Sequence, residues 1–424
     1  GQQRLTTFVI LIQSITELIE KLPENKNKKD SEIYLESYNL KYIREEYLMI
    51  EQPPRFIIRT HKFSYEIDNP SFQFLKYRIY NESNPGTIRE TVYTLNLENA
   101  KRFFTEKLKN LYNNNEFGIK EIEILFKKLT QNLMFNVYEI SDDFDVFVAF
   151  ETMNNRGKKL SNLELLKNRL IYLTTLYDED ELKSDEENSL RKTINDAWKE
   201  VYDQLGRNKI KPLDDDDFLI AHWIMYFQYS REKGDDYIRF LLEKQFTTRK
   251  IFDKKKIEEN GFLSPKEIEN YVNSLKSAAV HWYNIHNPLD KNTNLTENER
   301  LWIDRLNRIG IIYFRPLVTA SFLSNKIDSN KRVQLFQAIE RFIFIAFRLT
   351  RAISTYRNSE FYKAARKLCN NELSVSDIID ILEERMNYCF NKSEEKSEIY
   401  FNHIYFKTFI DKKFKNSGNG GFYS

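Results

Sequence analysis

Apolar residues recur at three- and four-residue spacing from the first turn of the chain. Phe8, Leu11, Ile12, Ile15, Leu18, Ile19 and Leu22 fall on one stripe, with Gln13, Ser14, Thr16, Glu17, Glu20 and Lys21 opposite. That period predicts an amphipathic helix. Ahead of it, Gly1-Gln2-Gln3-Arg4 reads as a turn leading into the helix, with Thr6 or Thr7 as its cap, because a hydroxyl oxygen accepts from an otherwise unpaired first-turn amide. Free N–H groups and the positive end of the helix dipole favour an anion there, and Arg4 adds a forked donor. From the residues alone, two readings stay open: a phosphate site and a solvated lead-in.

Further along, Lys21–Ser31 is a charged loop that ends this helix at Pro23. "RFIIRT" (55–60) reads as a short strand, "PSFQFLKYRIYNE" (70–82) as helical, and Asn96 as the start of a helix carrying Phe103, Phe104, Leu108 and Leu111. "NLMFNVYEI" (132–140) has apolar residues on both faces, the pattern of a strand buried on two sides. A helix is expected from Ser141, ended by Asn154-Asn155-Arg156-Gly157, since Gly and Asn tolerate a left-handed C-cap. Ser161 and Glu164 form a capping box for the next helix, which buries Leu163, Leu166, Leu170 and Leu173. The acidic stretch Tyr177–Ser189 is the best linker, and from about residue 190 the pattern is helical almost throughout. The chain therefore reads as mainly α, with domains at 1–176 and 190–424.

Composition narrows the function. A net charge of +2 in 424 residues offers no global attraction to nucleic acid, so such a site has to be a local patch. Two cysteines, Cys369 and Cys389, make no framework or zinc knuckle and suit a reducing cytoplasm. No membrane span, P-loop, Gly-x-Gly-x-x-Gly or His-Glu-x-x-His is found, and no metal ligands are assigned. The run Asp214–Asp217 is read as the dipole-matched start of the helix after it, in preference to a cation site, and Asp142, Asp143 and Asp145 likewise. One later segment stands out. Leu335, Ala338, Ile339, Phe342, Ile343, Ile345, Ala346, Phe347 and Leu349 cover most of a helix's circumference, and Gln337, Arg341, Arg348 and Arg351 share the rest. These arginines need carboxylates or an external anion; internal ion pairs and a phosphate-binding groove both satisfy them.

Two motifs carry a resemblance. "GQQRLTT" resembles the defining motif of the GmrSD-type modification-dependent restriction family, and "FETMNNRGKKL" its second signature, matched at Phe150, Asn154, Gly157 and Leu160. The resemblance implies an α+β ParB/sulfiredoxin-like N-terminal domain, truncated here, followed by a helical domain. The family motif has an aspartate and a strand ahead of Gly1, and many members carry a His-Asn-His nuclease domain behind, so the chain is expected to be a piece of a longer protein. It also implies nucleoside triphosphate and Mg²⁺ as cofactors. Gln2, Gln3 and Arg4 would be catalytic, and Gly1, Thr6, Thr7, Asn154, Arg156 and Gly157 would line the nucleotide site. The implied partner is DNA, including modified phage DNA, contacted here by Arg341, Arg348 and Arg351, with a nuclease domain or subunit alongside. The alternative is a non-catalytic helical module that binds DNA or a partner protein.

Overall fold

A computed structural model describes residues 2–52, 58–65, 69, 71–83, 88–113, 118–135, 160–178, 180–230, 236–252, 257–258, 261–349 and 355–391. Among them the protein is mainly α, with two antiparallel two-stranded sheets. It separates into two compact units, Gly1–Asp214 and Asp215–Ser424.

In the first unit α1 (Gln2–Glu20) is the central element. Its Ile10, Ile12, Ile15 and Ile19 enter one core with Leu40 and Ile43 of α2 (Leu40–Tyr47), Leu75 and Ile79, Leu108 of α4 (Val92–Asn113) and Phe126 of α5 (Gly118–Lys127). Two hairpins flank these helices. β1 (Tyr34–Leu35) pairs with β2 (Tyr38–Asn39), and β3 (Met49–Gln52) with β4 (Ile58–His61) in the register Met49↔His61. β4 is the described part of the expected strand at 55–60. The segment 70–82 is helical as expected: α3 (Phe72–Phe74) runs into a π-helical turn, Leu75–Ile79.

Three expectations shift. α4 opens at Val92 instead of Asn96, because Thr91 and Thr94 exchange hydrogen bonds, Thr91 N–H donating to Thr94 Oγ1 at 2.9 Å and Thr94 N–H to Thr91 Oγ1 at 3.5 Å. Of the strand expected at 132–140, Asn132 closes a π-helical turn, Leu133–Phe135 lie outside any sheet, and 136–140 lie outside the described residues, as does the helix expected from Ser141. Ser161 does cap α6 (Asn162–Thr174), accepting from Glu164 N–H at 3.3 Å, but the Glu164 carboxylate takes the Tyr202 hydroxyl. Tyr202 lies on α7 (Ser184–Gly206), which starts inside the acidic stretch 177–189 and packs on α6 through Trp198 Nε1–H, donating to Leu163 O at 3.0 Å.

The regular structure described in the second unit is all helical. α8 (Asp215–Tyr226) begins with Asp215, Asp216 and Asp217 in its first turn, the role expected of that run. α9 (Pro265–His286) and α10 (Glu297–Ile309) start from reciprocal capping boxes, Ser264/Glu267 and Thr296/Glu299. α10 ends at Gly310, whose φ of 101° a side chain would resist. α11 (Arg315–Leu323) packs on α8, α9 and α13 (Asn358–Cys369). α12 (Ser329–Ile343), extended by a π-helical turn Phe344–Leu349, packs on α10 and α14 (Val375–Asn391).

Candidate functional site

Gln2, Gln3 and Arg4 form the first turn of α1 itself, not a turn ahead of it, and all three side chains are exposed. Thr6 and Thr7 are correspondingly not caps. They are the fifth and sixth residues of the helix, and each donates its hydroxyl four residues back, Thr6 Oγ1 to Gln2 O at 2.9 Å and Thr7 Oγ1 to Gln3 O at 2.8 Å. The consequence matters for the site. The first-turn amides have no intrahelical acceptor, and the hydroxyls that would have competed for them point the other way. Thr6 is buried, and its oxygen also meets Tyr65 Oη at 2.9 Å, so a residue four positions beyond β4 pins the turn.

The remainder of α1 is held more tightly than its stripe predicts. Gln13, Ser14 and Thr16 are buried although they lie on the polar side. Ser14 and Thr16 satisfy themselves on the Ile10 and Gln13 carbonyls, at 2.8 and 3.0 Å. Gln13 donates to Glu17 at 2.8 Å, and Glu17 also takes Lys101 Nζ at 2.8 Å and Asn81 Nδ2 at 2.6 Å. Burial opposes ionisation of Glu17, yet hydrogen bonds from Lys101, Gln13 and Asn81 and the Lys101 charge outweigh it and hold the carboxyl below its ordinary range. Lys101 in turn donates to the Arg78 and Ile79 carbonyls at 3.1 and 3.0 Å, fixing the chain beyond α3. Next to it His61 stacks on Tyr80 at 4.1 Å and pairs with Glu82 at 3.0 Å. None of these partners was apparent from spacing along the chain; Tyr65, Asn81 and Lys101 reach α1 only through the fold.

In the second unit Arg341 and Arg348 are exposed on one edge of α12 and its π-helical extension. Arg341 pairs with Glu383 at 3.5 Å, and Arg348 Nη2–H donates to Ile309 O at 2.7 Å, beside the C-terminal turn of α10. The sector is narrower in its apolar cover than the sequence suggests: Gln334, Gln337 and Arg341 are exposed, while Leu335, Phe336, Ile339 and Phe342 are buried. Gly1, Asn154, Arg156, Gly157 and Arg351 lie outside the described residues.

The turn at Gln2–Arg4 suits a phosphate: exposed amide and guanidinium donors stand where the helix dipole is positive. It offers no set of carboxylates, and among the described residues no group of three His, Cys, Asp or Glu could hold a metal ion. None of the described helices is long and apolar enough to cross a membrane. No curated protein matches the sequence. Residues 1–171, however, match the family described as "GmrSD restriction endonuclease, N-terminal domain", a span that contains α1 and everything described around it up to Ile171 of α6. Over these 171 residues the chain is similar to the N-terminal domain of GmrSD restriction endonucleases.

Proposed function

We propose that the chain is a cytoplasmic component of a modification-dependent restriction system, one that binds and hydrolyses a nucleoside triphosphate at the first turn of α1 and contacts DNA through Arg341, Arg348 and Arg351. The observation that carries the nucleotide reading is the contrast along α1. Its first turn is exposed and its hydroxyls face away from the free amides, whereas the following four turns are locked by core packing and by the Glu17–Lys101 pair. A rigid helix with an open, cationic N-terminus is pre-organised for phosphate, so little ordering is needed on binding. Arg4 would grip phosphate oxygens, and Gln2 and Gln3 would orient nucleotide or water. Thr6 and Thr7 shape the turn through its carbonyls.

The test is calorimetric titration of the chain with magnesium nucleoside triphosphates, wild type against Arg4→Ala. Loss of a charge-assisted hydrogen bond costs about 1.5–3 kcal/mol, so affinity should fall roughly 10- to 100-fold. Equal affinity in the two proteins would return Arg4 to a solvated role and favour a non-catalytic helical module.

A further inference from the structure

Between α10 and α12 runs an open groove of about 500 Å³, lined by Trp302, Ile309, Gln337, Glu340, Arg341 and Phe344. We infer that this groove receives an unstacked base of single-stranded DNA, with Arg341 and Arg348 on the flanking phosphates. The inference rests on the DNA-contact half of the reading above and names the form of DNA that is taken.

Three features combine. The first is an aromatic platform. Trp302 is half-buried, and the guanidinium of Arg305, one turn on, lies 4.6 Å from its ring centroid, covering one face and fixing the indole plane. Phe344 supplies a second aromatic wall at the start of the π-helical turn. Any base can stack on such surfaces, because every base has a π-face. The second is polar chemistry of the right kind inside the groove. Gln337 offers both a donor and acceptors, and Glu340 accepts, as required to meet ring nitrogens and exocyclic amines on an exposed base edge. Within a duplex those edges are paired and the faces are stacked, so this lining has no use for a closed double helix.

The third feature is charge. Arg305, Arg341 and Arg348 face Glu340 and Glu383 in this sector, three cations against two anions. Two of the three cations are held by neutral groups: Arg305 on an indole, and Arg348 on the Ile309 carbonyl, where the missing side chain of Gly310 leaves room, an added Cβ lying 3.4 Å from Arg348 Nη2. The third pair, Arg341–Glu383, is half-exposed on both sides, the kind of contact that contributes little and exchanges readily for phosphate. The groove thus gathers stacking, edge recognition and a small positive excess, and its size falls within the roughly 300–1,000 Å³ of sites that take one small moiety.

The experiment is fluorescence anisotropy of the full chain with a labelled 12-nucleotide single strand and with a duplex of the same sequence, at several salt concentrations. The expected result is preference for the single strand, a loss of roughly tenfold in Trp302→Ala with most affinity kept in Trp302→Phe, and a log–log salt slope lowered by about 0.7 in Arg341→Gln. Gln337→Ala, at an exposed position, gives the same readout if the tryptophan variant does not fold. Duplex binding that depends on Arg341 and ignores Trp302 and Gln337 would keep the DNA reading and overturn this one. No binding of either form would overturn both. Binding of a free mononucleotide as tight as that of the strand would reassign the groove to small nucleotides, and a shift from dimer to monomer in Trp302→Ala would reassign it to contact between copies of the chain.

Discussion

Glu17 in the first unit and His222 in the second are both largely withdrawn from solvent, and the two are kept in opposite states. Glu17 of α1 is surrounded by Lys101, Asn81 and Gln13 and stays charged. His222 of α8 is wholly enclosed, with Tyr226 stacked on it at 5.6 Å, Tyr271 edge-on at 5.1 Å and Phe218 at 6.4 Å. Its one polar contact among the described residues is the Ser274 hydroxyl, 3.1 Å from Nε2, and burial drives its pKa down to about 3. Burial alone therefore does not decide charge. Partners do: a carboxylate with three donors keeps its charge, whereas an imidazole among rings gives its charge up.

The largest effect that could break this comparison is pH. A histidine whose pKa falls from 6.5 to about 3 on folding binds fewer protons in the native state across that window. Its contribution to stability is complete above about pH 6.5 and lost as pH falls towards 3, at about 1.4 kcal/mol per pH unit. Hydrogen exchange of the α8 and α9 amides should thus quicken by close to a decade per pH unit beyond the intrinsic pH effect between pH 6 and 4, and His222→Phe should flatten the profile. An unchanged slope in that variant would mean that His222 is not the proton acceptor.

Glu17 sharpens the other half. Glu17→Ala leaves Lys101 largely buried with its anion gone, which should cost about 2–3 kcal/mol of the N-terminal unit's stability, below the usual figure for a broken buried pair because both side chains keep an edge in water. Chemical denaturation followed through exchange of α1 amides measures it. Adding Lys101→Met should recover part of the loss, since an apolar side chain of similar length needs no counter-charge. The pH signature also differs from that of His222: a carboxyl held below its ordinary value supports the fold above about pH 4.5 and ceases to do so as pH falls through its folded value. A Glu17→Gln protein with unaltered acid stability would show that the pair contributes nothing.

These two centres also mark where reading the chain succeeds and where it stops. Local chemistry was legible: Ile12, Ile15 and Ile19 of α1, the Leu163–Leu173 stripe of α6, the Ser161 cap and the aspartates opening α8 all follow from a residue and its near neighbours. The two motifs also pointed to the family that residues 1–171 match. What failed was tertiary. Gln13 and Thr16 look like a solvent face until Asn81 and Lys101 arrive from sixty and more residues away, and Thr6 looks like a cap until its helix is seen to begin at Gln2. Trp302 and Arg305, three apart on α10, carried a periodic signal that a search for stacked cation–aromatic pairs would have caught.

The smallest expected effect lies at Thr6, and it bears directly on the candidate site. A threonine hydroxyl has one hydrogen. Thr6 gives it to Gln2 O, so at the 2.9 Å contact with Tyr65 the phenol must be the donor. Burial raises the Tyr65 pKa, which keeps that proton in place at any working pH. Tyr65→Phe then removes one hydrogen bond, Thr6→Val removes two, and the double variant loses only what Thr6→Val already lost. The cycle should give a coupling of about 1 kcal/mol, the net value of a neutral hydrogen bond. If the first turn of α1 must be held still to present Gln2–Arg4, Tyr65→Phe should also weaken nucleotide binding a few-fold without touching the ligand. Coupling in stability with no change in affinity would confine the Tyr65–Thr6 bond to the fold, and zero coupling would mean that α1 is held by its buried middle alone.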